Sequence, residues 1–123
     1  MFTKVNVENN IYDLTKDFAL RIVNLYKYLK AEKSEYIISK QILRSGTSIG
    51  ANVHEAQYAQ SRADFKSKMN IALKEANETG YWLELLLRSE YICESQYESI
   101  HSDFVRIIAT LMNIVKHTEI YIS

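Results

Sequence analysis

Apolar residues recur along this chain at steps of three and four, the period of helices that turn one face inward. The first row is Ile11, Leu14, Phe18, Ile22, Leu25 and Leu29. It predicts a helix over residues 10–31, with Asn9 or Asn10 as its cap. Glu32, Lys33 and Ser34 break the row, and Ser34 is the expected N-cap of a second helix over residues 35–59. Its row runs Ile38, Ile42, Ser45, Ile49, Asn52 or Val53, and Ala56. Ser61 with Asp64 has the spacing of a capping box and opens a third helix over residues 62–89. That helix carries Phe65, Met69, Ala72, Ala76, Thr79, Leu83 and Leu86. A short connection at residues 91–94 follows, and Ser95 with Glu98 predicts the start of a fourth helix over residues 96–121. Ile100, Phe104, Ile107, Leu111 and Ile114 form its row.

There is no proline and there are three glycines in 123 residues, so the usual punctuation of sheets and long loops is missing. Long helices joined by short turns predict an all-α protein, an antiparallel up-down-up-down four-helix bundle. A single domain over residues 1–123 is expected from this length.

The second row shrinks at its centre. Ser45-Gly46-Thr47-Ser48-Ile49-Gly50-Ala51 holds one large side chain, Ile49. Gly46 and Gly50 lie one turn apart, which lets a neighbouring helix approach closely; each costs about 1 kcal/mol of helix propensity that packing must offset. Along another stripe of the same helix lie Gln41, Arg44, Ser48, Asn52 and Glu55, and the third helix offers Glu75, Glu78 and Trp82. This pattern reads as a buried or interfacial polar network that fixes register. Burying Arg44 unpaired would cost on the order of several kcal/mol, so Glu75 or Glu78 is its expected partner.

Charge and chemistry narrow the function. Lys plus Arg equals Asp plus Glu at 15 each, so no global field steers the chain to nucleic acid or an anionic membrane. Local basic groups are Lys40, Arg44, Arg62, Lys66, Lys68 and Lys74, interleaved with Glu55, Asp64, Glu75 and Glu78 in the manner of a mixed, solvated surface. The lone Cys93 reads as a packed or inert thiol in a reducing compartment. The first residues lack an apolar core of signal-peptide length, and no apolar run approaches the ~20 residues of a membrane span. A cytoplasmic location is expected. Only Glu98-Ser-Ile-His101 has the spacing of a di-iron ligand pair; His54 and His117 have no such context, so neither metal nor cofactor is expected. Tyr26, Tyr28, Tyr81, Tyr91 and Trp82 exceed what one thin bundle easily buries, and point to self-association.

Three stretches then carry a resemblance. Residues 41–57, from Gln41 through Arg44, Ser48, Asn52 and Glu55, Ser61-Arg-Ala-Asp-Phe65, and residues 72–86, with Glu75, Glu78, Tyr81, Trp82 and Glu84, resemble four-helix-bundle proteins related to those encoded in intervening sequences of bacterial 23S rRNA genes. The resemblance spans about residues 18–114. It implies a bacterial, cytosolic four-helix protomer, often assembled into a ring-like homopentamer. It also implies an architectural role for Arg44, Ser48, Asn52, Glu55, Glu75 and Glu84, with no catalytic residue. Relatives include accessory proteins of diversity-generating retroelements, which form pentamers and engage nucleic acid and a reverse transcriptase. The reading is therefore a non-enzymatic, homo-oligomeric scaffold or binding module that docks a protein or RNA partner. Its rival is direct nucleic-acid binding through Lys40, Arg62, Lys66 and Lys68.

Overall fold

Each apolar row becomes the buried face of one helix. The computed structural model describes residues 11–118, which form α1 (Ile11–Lys33), α2 (Ile38–Ala56), α3 (Arg62–Arg88) and α4 (Glu94–Lys116). The buried face of α3 is the row Phe65, Met69, Ala72, Ala76, Thr79, Leu83 and Leu86. In the other helices some row members move to the seams: Leu14, Ile38 and Phe104 are half-buried against the core. Thr15 and Ser39 take buried places instead. Their hydroxyls donate to carbonyls one turn back, Thr15 to Ile11 and Ser39 to Glu35, both at 2.9 Å, which removes the cost of burying them.

The helices pack α1 on α2, α2 on α3, α3 on α4, and α4 back on α1, with the diagonal pairs apart among the described residues. One apolar cluster fills the space between them, led by Phe18, Phe65, Met69, Leu83 and Leu111. No helix among the described residues is long and apolar enough to cross a membrane.

The junctions depart from the expected caps. Ser34 does not cap α2; its φ of 51° places it in the left-handed region just past the end of α1. Glu35 caps instead. Its carboxylate accepts the N–H groups of Ile37 (3.2 Å), Ile38 (3.0 Å) and Ser39 (2.7 Å), while its own N–H donates to the Leu29 carbonyl at 2.9 Å. A buried anion at a helix N-terminus is favoured by the exposed amide dipoles there. Helix α2 stops at Ala56, not residue 59, because Gln57, Tyr58 and Ala59 turn tightly through bonds to carbonyls three residues back. Ser61 caps α3 by accepting the Asp64 N–H at 3.0 Å. The start of α4 lies two residues earlier than the Ser95 and Glu98 spacing suggests: Cys93 is the N-cap, and its N–H donates to Gln96 Oε1 at 2.8 Å. The Asn9 or Asn10 cap and residues 119–121 of the fourth helix lie outside the described residues.

The C-terminus of α3 closes as a Schellman turn, with Tyr91 N–H on the Leu86 carbonyl at 2.9 Å and Glu90 N–H on the Leu87 carbonyl at 3.0 Å. Glu90 occupies the left-handed position, φ 66°, that glycine takes without a Cβ penalty. Glu90→Gly should therefore raise stability by about 0.5–1 kcal/mol in urea denaturation. A loss of stability would contradict this account of the turn.

Candidate functional site

The small residues of α2 set how closely its neighbours approach. A Cβ on Gly46 would lie 2.8 Å from the side-chain carbons of Ile22, and one on Gly50 would lie 3.2 Å from the Thr15 carbonyl oxygen. Both contacts are with α1. On the α3 side, the buried hydroxyls of Ser45 and Thr79 are 2.9 Å apart, and Thr79 Oγ1 also lies 2.8 Å from the Glu75 carbonyl. Gly80 does for α3 and α4 what Gly46 does for α1 and α2, since a Cβ there would meet Phe104 Cζ at 2.6 Å.

One residue before Ser45, Arg44 reaches across the α2–α3 seam. Its Nη1 donates to Glu75 Oε2 at 3.0 Å and its Nη2 donates to Glu78 Oε2. The same Glu78 oxygen accepts the Trp82 indole N–H at 3.0 Å. Spacings of three and four place Glu75, Glu78 and Trp82 on one stripe of α3. Tyr81 packs against Trp82 edge to face, with centroids 4.9 Å apart. The Trp82 N–H first, then the Arg44 guanidinium, hold the Glu78 carboxyl below its ordinary range. A carboxylate held ionised by two donors is a poor proton acceptor near neutrality. The cluster is built to hold charge in place, and it presents no free base beside a nucleophile.

Within the protomer this stripe, expected to be buried or interfacial, is only partly buried. The Arg44 side chain is 51% exposed in the protomer, so its pairs follow the energetics of surface ion pairs, about 1 kcal/mol or less each, rather than those of a buried network. The other members turn to local partners. Ser48 donates to the Arg44 carbonyl at 2.6 Å and Asn52 to the Ser48 carbonyl at 2.9 Å, both within α2. Glu55 is exposed and meets Lys68 of α3 at 3.4 Å. Gln41 lies exposed one turn before Arg44, and Glu84 pairs with Arg88 within α3 at 3.4 Å.

Of the basic candidates, Lys40, Arg62 and Lys66 are exposed, while Lys68 is engaged with Glu55. Lys66 and Lys74 flank a shallow depression on the outer face of α3 with Asn70 and Ile71; Lys40 lies on α2, away from it. Among the tyrosines, Tyr28 and Tyr91 pack on the core, as does Trp82, Tyr26 accepts from Lys30 at 3.2 Å, and Tyr81 projects outward. His101 stacks on Tyr97 at 4.9 Å, and His54 meets Tyr58 edge to face at 5.7 Å. Cys93 is exposed, not packed, and the Ser95 hydroxyl leads the contacts that lower its thiol pKa.

Two polar features escape periodicity. The Glu35 cap is one. The other is Arg21, which ties α1 to α4 through Asp103 Oδ2 (2.7 Å), the Ser99 carbonyl (3.0 Å) and Ser99 Oγ (2.6 Å). The Glu35 cap is local, and an acid just before α2 is its signal in the sequence; the Arg21 contacts join segments far apart in the chain and have none.

Residues 7–113 match the family model described as 23S rRNA-intervening sequence protein. The structure is similar to the 1.70 Å crystal structure of a protein with unknown function from the S23 ribosomal protein family of Bacteroides thetaiotaomicron VPI-5482. The two are 63% identical with a TM-score of 0.85, over 86% of this chain and 98% of that one. No curated protein matches the chain.

Because Glu78 titrates below its ordinary range when folded, the stability it lends is full above the unfolded carboxylate pKa. It is lost as pH falls through the lowered folded value. Glu78→Gln should therefore be less stable than the wild type at pH 7, by about 1 kcal/mol, with the gap closing on acidification. A gap that stays constant down to pH 3 would contradict the assignment.

Proposed function

The chain belongs to the 23S rRNA-intervening sequence protein family, and on that premise we propose that it is a non-enzymatic, homo-oligomeric scaffold of the bacterial cytoplasm. The protomer is read as an antiparallel up-down-up-down bundle. Its paired contacts support this: Thr15 meets Gly50 while Ile22 meets Gly46, and Glu55 meets Lys68 while Arg44 meets Glu75 and Glu78, so numbers rise on one helix as they fall on the next. The pentameric ring is carried by the resemblance.

The observation that carries the scaffold reading is the seam itself. Arginine, tryptophan and tyrosine are the residue types that anchor interfaces, and here they stand together in a fixed arrangement. Arg44 is neutralised by its own protomer, and Trp82 has its N–H satisfied, so covering the seam strands neither that cation nor that donor. Gln41, Ser48, Asn52 and Glu55 extend the same edge.

A second reading has one favouring observation. Lys66 and Lys74 stand exposed beside Asn70 on the outer face of α3, and with Lys40, Arg62 and Lys68 they could contact an RNA backbone.

Native mass spectrometry should give a homo-oligomer, with five subunits expected; a monomer across micromolar concentrations would refute the scaffold. A gel-shift titration with structured RNA across salt addresses the rival. Phosphate contacts through these cations require affinity to fall steeply with salt, and a flat salt dependence or no shift at low salt would rule the rival out.

A further inference from the structure

Among the described residues, two exposed apolar patches stand beside charged groups of opposite sign. The first is on α4. Val105, Ile108 and Met112 follow one another at three and four residues, and Val105 and Met112 are 49% and 56% exposed. The same helix carries Arg106 and Lys116, both exposed and neither in an ion pair among the described residues. Asp103 of the same helix is already paired with Arg21. The second surface is the α2–α3 seam, where Tyr81 is 60% exposed beside Trp82. Two carboxylates there, Glu75 and Glu78, face the single cation Arg44, leaving the seam with one negative charge in excess.

The two surfaces complement each other in both respects that matter for recognition. The α4 stripe leaves Val105 and Met112 in water, and the seam leaves Tyr81 in water beside the half-buried Trp82. One is flanked by cations with no ion pair among the described residues and the other carries surplus anion, so each supplies what the other lacks.

We propose that the Val105, Ile108 and Met112 stripe of one copy seats on the Tyr81 and Trp82 seam of a second copy, with Arg106 and Lys116 facing Glu75 and Glu78. The inference rests on the self-association proposed above and specifies how it is built. Such a contact is heterologous: it joins unlike patches, and repetition yields a closed ring or a filament rather than a twofold dimer.

Complementation of two variants provides the test. Met112→Asp places an acid on the α4 stripe, one turn before Lys116, where the helix tolerates it. Tyr81→Asp spoils the seam. Each alone should give a folded monomer by circular dichroism and light scattering, at a concentration where the wild type is assembled. Mixed at equal ratio, they should form a one-to-one pair and nothing larger, because the mixture retains one intact interface. Leu20→Asp, on the outer face of α1, should leave the assembly unchanged. If Met112→Asp fails to fold, Val105→Asp replaces it. An oligomer that survives either substitution, or two monomeric variants that do not pair on mixing, would overturn the inference while leaving self-association standing. A monomeric wild type would remove both.

Discussion

The structure depends on how closely one helix can sit between two others. At the centre of α2, bulk is given up: Gly46 lies against Ile22, Gly50 against the backbone of Thr15, and Ser45 against Thr79. Large side chains at these places would push α1 and α3 outward and open the core at Ile42 and Ile49, which are fully buried. The two glycines forgo helix propensity, and the dense contacts on both sides of α2 offset that loss. Everything else about the site follows from this proximity. Only because α2 and α3 nearly touch can Arg44 reach two carboxylates on the far side of the seam.

This geometry holds its polar groups in place. Glu78 is held ionised by an indole N–H and a guanidinium, the Thr79 and Ser45 hydroxyls are committed to each other and to backbone, and Ser48 and Asn52 bond within their own helix. Polar groups so engaged are poorly suited to gain or lose protons in a reaction cycle. They make the α2–α3 edge a pre-ordered surface.

Much of the fold was legible in the residues. Spacings of three and four identified four helices, and the α3 row from Phe65 to Leu86 reappears as that helix's buried face. The facing of Arg44 by Glu75 and Glu78 was legible too, since spacing places all three on stripes that a short α2–α3 connection brings together. What was hidden is degree and ends. Periodicity marks Arg44 as near the core but does not say that half of its side chain stays in water, because that depends on the angle between helices. Helix boundaries turn on single bonds: a glutamate at position 35 outcompetes Ser34 as a cap by reaching three N–H groups, and Cys93 with Gln96 pre-empts Ser95 with Glu98. The Arg21 clamp to Ser99 and Asp103 joins residues too far apart in the chain for any local pattern to announce.

Chemical denaturation of Gly46→Val beside Arg44→Ala tests this ordering of effects most directly. Close approach of helices as the governing constraint predicts a loss of about 1–3 kcal/mol for Gly46→Val, from overpacking against Ile22, and a loss of about 1 kcal/mol or less for Arg44→Ala. Equal or greater stability of Gly46→Val, with Arg44→Ala the costlier change, would contradict it.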